Sequence, residues 1–480
     1  MTAVQRATGR FDALDTLRCL AVLVMVQGHA FYLVIEDAVR GERWYAWHNY
    51  LHGYTAPAFL FGAGLAFGVT TLRNLPAHSR WGSTLFSRLY RYLALFAIGY
   101  AIQLPPLDRD PASWTMENLR VFSRVEALQH IGAVLLFCQL LVVVTRRRAP
   151  FLVAATVAGV SIVLVGPWMS RLPDSALGPQ GVAAYLSADV GSTFPLVPWA
   201  GFVLLGITAA SLLPRTALDG PNWRIAGAFV ATGLAAVLLS LGLDRLVPDA
   251  FGEHFYWKAS PYFFLRRLGW VLVMLGGFAG IDWAFFRRKA TAGPVRRWIR
   301  LVSQQSLVAY VAHLALLYGS PFSAGLGRDY GHRLGVTAAS LLVLGMCVLL
   351  TALAYAWRQL DRHWDGPFLF VRRTGVVVMA TLVVAAGLQA GTRVTDVPLA
   401  GAAPSAPVAS GLSETVAGPV TEGSAEASGS PPAAPTDRVV PIAPIVVETR
   451  APGADGLAPG VEVATPAAGT SSVTAAALLR

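Results

Sequence analysis

Hydrophobic and polar positions alternate in long blocks along this chain. Apolar windows long enough to cross a bilayer fall at about 14–35, 52–72, 89–104, 127–145, 149–168, 195–213, 224–243, 264–285, 299–319, 334–357 and 374–391. They predict an all-α, polytopic transmembrane helical bundle of about eleven helices. From about Val394 onward the chain turns to Ala, Pro, Gly, Ser, Thr and Val without an aromatic residue, a composition that cannot bury a core. The expected organisation is a membrane domain over residues 1–393 and a disordered extracytoplasmic tail over 394–480. That tail reads either as a spacer or as a dispensable solvated segment.

The first block breaks the apolar pattern in a particular way. In LDTLRCLAVLVMVQGHAFYLVI the ionisable residues Asp15, Arg18 and His29 interrupt a spanning helix. At about 100° per residue, Arg18 and His29 return to within roughly 20° of one face, with Asp15 roughly 60° from Arg18. A charge near the bilayer centre costs a few kcal/mol, so such a stripe is expected to face a protein interior or a water-filled path. The alternative is an interfacial Asp15–Arg18 pair above a packing histidine.

Composition supports the membrane reading: 55% of residues are hydrophobic and only 14% are charged. The net charge of +11 lies mainly in segments that a cytoplasmic N-terminus would place inside. Arg146-Arg147-Arg148 and the run from Arg287 to Arg300 are the strongest markers, giving an N-in, C-out topology. No basic run is interleaved with exposed aromatics as nucleic-acid binding would require. Cys19, Cys138 and Cys347 lie far apart in apolar segments, suggesting neither disulfides nor a metal site. The first helix carries internal charge and no small-residue cleavage site, and reads as retained.

This topology gathers histidines at one depth. His29, His48, His52, His130 and His313 all fall toward the outer side. Around them stand Arg124, Glu126 and Gln129 in SRVEALQHIG, Trp199 in STFPLVPWAGFVLLG, and Arg266 and Arg267 in YFFLRRLGW. Each has a structural reading: an ion pair, a belt aromatic, a snorkelling arginine. Gly64 and Gly68 in FGAGLAFG suit close helix packing. No nucleophile elbow, phosphate loop or HExxH motif occurs in a suitable context. Histidine chemistry remains, and imidazole suits acyl transfer from a thioester to an amine or hydroxyl.

The segments LDTLRCLAVLVMVQGH, HNYLHGYTAPAFLFGAG, RVEALQHIG, STFPLVPWAGFVLLG and SLVAYVAH resemble, in order, the signatures of the heparan-α-glucosaminide N-acetyltransferase catalytic-domain family. The resemblance spans about residues 10–390. It implies a membrane acetyltransferase that takes acetyl from cytoplasmic acetyl-CoA and delivers it to a sugar amine on the far side, through a histidine. The family pattern His-x-x-x-Asn-Gly-x-Thr falls on His48 to Thr55, with His52 in place of the asparagine. The chain is also more weakly similar to membrane enzymes that O-acylate surface polysaccharides.

The expected function is therefore an integral, multi-pass acyltransferase of the inner or plasma membrane, with proton- or ion-coupled transport as the alternative. His48, His52 and His29 are the catalytic candidates. Asp15, Arg18, Arg124, Gln129, His130, Trp199, Arg266, Arg267 and His313 are the candidates for binding donor or acceptor. Acetyl-CoA is the expected donor, with no metal; membrane lipid and an extracytoplasmic glycan acceptor are the expected partners, with no nucleic acid. Homo-oligomerisation is left open.

Overall fold

A computed structural model of the protein describes residues 11–104, 121–188, 191–213, 221–252, 254–286, 293–319 and 325–363. The predicted window at 374–391 and the tail from 394 lie outside these residues. The described chain is all-α, its only bridge being an isolated parallel pairing of Ile35 with Leu334.

In chain order the principal helices are α1 (Asp12–Val34), α2 (Arg43–His52), α3 (Thr55–Arg73), α4 (Ser83–Ile102), α5 (Ala127–Thr145), α6 (Arg148–Met169), α7 (Leu196–Ala210), α8 (Trp223–Leu246), α9 (Pro261–Phe286), α10 (Pro294–Gln304), α11 (Ser306–Tyr318) and α12 (Val336–His363). Ten of the eleven apolar windows fall on these helices. Seven stretches are long and apolar enough to cross a membrane, with α2 and α3 forming one, and an eighth arises if α10 and α11 are a single span. The count falls below eleven for identifiable reasons. The α7 helix is only 15 residues long, and α4 carries Arg88 and Arg91 within its length.

Two helices differ from the simple reading of the windows. The second block begins earlier than its apolar pattern, because the aromatic segment RWYAWHNYLH already forms α2 ahead of α3. The window at 299–319 is not one rod: α10 and α11 meet at Gln305 with a bend of 69°. The polar run Ser303-Gln304-Gln305-Ser306 supplies side-chain partners at this break, which lets the interior tolerate an interrupted helix.

Helices meet closely where small residues allow it. A Cβ on Gly64 of α3 would sit 1.9 Å from the Val203 carbonyl oxygen of α7, and one on Gly206 of α7 would sit 2.4 Å from the Phe61 carbonyl oxygen. Backbone thus packs on backbone, the arrangement small residues permit when lipid supplies no hydrophobic drive between helices. Above this seam, Phe61, Phe202, Phe264 and Phe151 fill the main core, with the Phe202 and Phe264 rings stacked at 4.0 Å. A second core joins the C-terminal half of α1 to α11 and α12 through Val26, Ala30, Val34, Leu317, Ala339 and Met346. Together the two cores fix α1 between the α3–α7 group and the bent α10–α11 pair.

Candidate active site

The polar stripe of α1 is paired along its length with α10 and α11. At its N-terminal end Asp12 accepts from Arg300 Nε (3.1 Å) and Nη2 (2.8 Å) and pairs with Arg296 at 3.0 Å, while Arg296 reaches Asp282 of α9 at 2.6 Å. One turn on, Ser303 Oγ donates to the buried Asp15 carboxylate at 2.8 Å. Arg18 Nη2 then donates to Ser306 Oγ at 3.0 Å. Asp15 and Arg18 therefore hold the two sides of the α10–α11 break. The ring cluster farther along α1 forms elsewhere.

Near the C-terminal end of α1 four imidazoles from three helices form a continuous row. The His48 and His52 rings of α2 stack at 6.2 Å, His52 meets His29 of α1 edge-on at 6.1 Å, and His29 meets His313 of α11 at 5.3 Å. Tyr318 closes the row, with its hydroxyl 3.1 Å from His29 Nδ1. The rings follow one another and do not converge on a point. Among the described residues, no group of three or more His, Cys, Asp and Glu is arranged to hold a metal ion.

Each ring is set by a different neighbour. His52 lies directly on Gly28 of α1, where a Cβ would fall 1.8 Å from its Cδ2 and 1.9 Å from its Nε2. Its buried Nε2 has no hydrogen-bond partner among the described residues, and the bond it makes to the Met25 backbone falls on Nδ1. His313 uses Nδ1 to donate to the Ala309 carbonyl at 2.9 Å, leaving its buried Nε2 unpartnered. His48 is half-buried and faces two amides, with Nε2 2.9 Å from Gln27 Oε1 and Nδ1 3.2 Å from Asn49 Oδ1. Because an amide can present either oxygen or NH₂, this pair can satisfy the ring before and after it takes a proton.

The candidates from the fourth and sixth apolar windows have other duties. Buried Gln129 donates to Gln103 at 3.0 Å and packs on Gly99, tying α5 to α4. His130, buried one residue further, donates from Nδ1 to the Phe194 carbonyl at 3.0 Å and anchors the approach to α7. It shares a depth with the others in sequence, but its bond is to this loop. Glu126, just before α5, accepts from Thr193 Oγ1 at 2.7 Å, and burial pushes its carboxyl up to about 7. Arg124 lies against Gly191, in the same loop, and acts electrostatically on Glu126.

The two adjacent arginines of α9 part company. Arg266 donates to Asp244 of α8 at 2.8 Å, and Asp244 also accepts from the Tyr256 hydroxyl at 2.6 Å. Arg267 instead lies over the rings of Trp199 (5.4 Å) and Phe263 (4.0 Å). Its Nη2 is 3.6 Å from where a Gly53 Cβ would stand, next to His52.

Tyr318, Gln27, Asn49 and Gly28 complete the site without having been singled out from sequence. Gln27 and Gly28 sit immediately before His29, so QGH carried a local signal. Tyr318 carried none, since its partner is 289 residues away.

Residues 10–246 match the sequence profile of the family described as Heparan-alpha-glucosaminide N-acetyltransferase, catalytic. Over this stretch the chain belongs to that family. No curated protein matches the chain at a comparable standard. The matched stretch covers α1 through α8 and includes His29, His48, His52 and Trp199; α9 to α11, with Arg267 and His313, lie beyond it. The protein is accordingly a multi-helix member of a membrane acetyltransferase family.

Proposed function

We propose that this protein is an integral membrane acyltransferase of the inner or plasma membrane, moving an acetyl or other acyl group from cytoplasmic acyl-CoA to an extracytoplasmic sugar amine or hydroxyl. The observation that carries this reading is the row His48–His52–His29–His313. Ionisable side chains within spanning helices are costly, and four imidazoles brought together from three helices call for a reason beyond packing.

In this reading the α1 N-terminal end, with Arg296 and Arg300, faces the cytoplasm, and acetyl-CoA enters from that side. The Asp15–Ser303 and Arg18–Ser306 bonds keep the helix break beside the path of its thioester arm. His48 acts as general base because it is the half-buried member of the row and both its nitrogens have amide partners. It removes a proton from the acceptor amine or hydroxyl as that group attacks the thioester carbonyl. The new carbon–nitrogen or carbon–oxygen bond forms, the carbon–sulfur bond breaks, and the proton passes from His48 to the departing CoA thiolate. His52 and His29 position His48 and extend a proton path toward Tyr318. The membrane domain runs over residues 1–393, with the segment 394–480 as an extracytoplasmic tail.

The test uses purified full-length protein with radiolabelled acetyl-CoA and glucosamine. Transfer is expected, with a loss of about a hundredfold or more in His48→Ala. Transfer that survives alanine at His29, His48 and His52 together sinks the mechanism. Solute or proton flux into proteoliposomes without any acyl donor supports transport instead.

A further inference from the structure

Arg266 and Arg267 are consecutive, yet only the first has a counter-ion. Arg266 is neutralised by Asp244. Arg267 makes no ion pair or hydrogen bond among the described residues, and its Nε is shielded from solvent. Snorkelling would carry the guanidinium out to water, but here the Trp199 and Phe263 faces enclose it. Cation–π contact offsets part of the cost of burying this charge and leaves its hydrogen-bonding edge unused. The nearest polar groups acting on it are the Tyr50 and Tyr54 hydroxyls, which bond each other at 2.9 Å and bring no negative charge at neutral pH.

The guanidinium borders a cavity between the start of α7, the 257–260 segment and α9. Trp199, Trp257, Lys258, Ser260, Phe263 and Arg267 are among its walls. Lys258 is a second cation without a carboxylate partner among the described residues, its Nζ lying 5.0 Å over the Phe255 ring. Two unneutralised cations beside two tryptophans match one ligand chemistry: an oxyanion carried on a ring that stacks on an indole face. Arg267 also reaches Gly53, the residue after His52, so a ligand in this cavity has one end at the imidazole row.

We infer that the cavity binds the acceptor through a phosphate- or carboxylate-type group held by Arg267 and Lys258, with the sugar ring against Trp199 or Trp257 and its reacting amine or hydroxyl directed toward His48 and His52. The site thus selects anionic sugars over neutral ones. This assignment rests on the acyltransferase reading for its acceptor, but its binding chemistry can be measured without any transfer.

Binding of glucosamine 6-phosphate and of glucosamine is compared by equilibrium dialysis on the full-length protein in zwitterionic nanodiscs without acyl donor. The phosphorylated sugar is expected to bind at least about tenfold more tightly, with the preference falling about 10- to 100-fold in Arg267→Gln and unchanged in the exposed control Arg224→Gln. Arg267→Lys, which keeps the charge without the planar fork, restores part of it. Equal affinity for the two sugars, or a preference intact in Arg267→Gln, overturns the proposal. So does a site emptied by phosphatidylglycerol in the nanodisc but indifferent to sugar phosphate, which assigns the cavity to a lipid headgroup. A phosphate preference in a protein that transfers acetyl to no sugar leaves the site standing and removes the acyltransferase reading. Transfer to both sugars at wild-type rates in Arg267→Gln does the reverse.

Discussion

Gly28→Ala isolates the placement of one imidazole from everything else in the bundle. The added methyl carbon would lie 1.8 Å from His52 Cδ2, 1.9 Å from Nε2 and 2.6 Å from Cγ, against an ordinary contact of 3.4–4 Å. The His52 ring must therefore move by about 1.5 Å, because the methyl is fixed to the α1 backbone. Overpacking of this kind costs about 1–3 kcal/mol, while replacing a mid-helix glycine with alanine returns about 1 kcal/mol, so net destabilisation is at most about 2 kcal/mol. A displacement of that size in a reacting group costs about a hundredfold in rate. Acetyl transfer and thermal unfolding are measured on the same detergent-purified sample, with Gly227→Ala as a control at a helical glycine with open space around it. The expected result is a folded protein with kcat down about a hundredfold in Gly28→Ala and activity retained in Gly227→Ala. Full activity in a stable Gly28→Ala protein would refute the placement of His52 in the reacting row.

Asp15→Ala leaves the buried Ser303 hydroxyl without its acceptor and should lower stability by about 1–3 kcal/mol, whereas Asp15→Asn, which keeps an oxygen in place, should lose less; thermal unfolding in detergent separates them. Glu126 gives a pH signature. Its folded-state carboxyl titrates near 7 against an ordinary 4.5, so the stability it contributes when neutral is fully present below about 4.5 and is lost as pH rises through about 7. Wild-type protein should therefore show a fall in Tm between pH 5 and 8 that is flattened in Glu126→Gln, and an equal fall in both proteins would remove Glu126 as its source.

The helices were legible because an apolar window needs only local sequence, and the α1 stripe because 3.6-residue periodicity fixes a face. That is why Asp15, Arg18 and His29 were found together before any fold was known. Depth was legible as well, but direction was not. His130 lies one helix from the row, and its ring turns to the Phe194 carbonyl, a partner 64 residues away. The bend at Gln305 was hidden because a hydropathy window averages over Ser303 to Ser306. Arg266 and Arg267 were indistinguishable as neighbours in sequence. Asp244 separates them only once α8 is packed on α9.

The break at Gln305 also makes α11 a lever. His313 lies eight residues beyond that pivot, about 12 Å along the helix at about 1.5 Å per residue. A rotation of about 5° there carries its ring about 1 Å, a sizeable change against its 5.3 Å spacing from His29. The pivot is gripped by Asp15 and Arg18 through two serine hydroxyls. Small movements at the charged end of α1 are thus magnified at the far end of the row, so the spacing of the imidazoles is geared to whatever occupies the opposite side of the membrane domain.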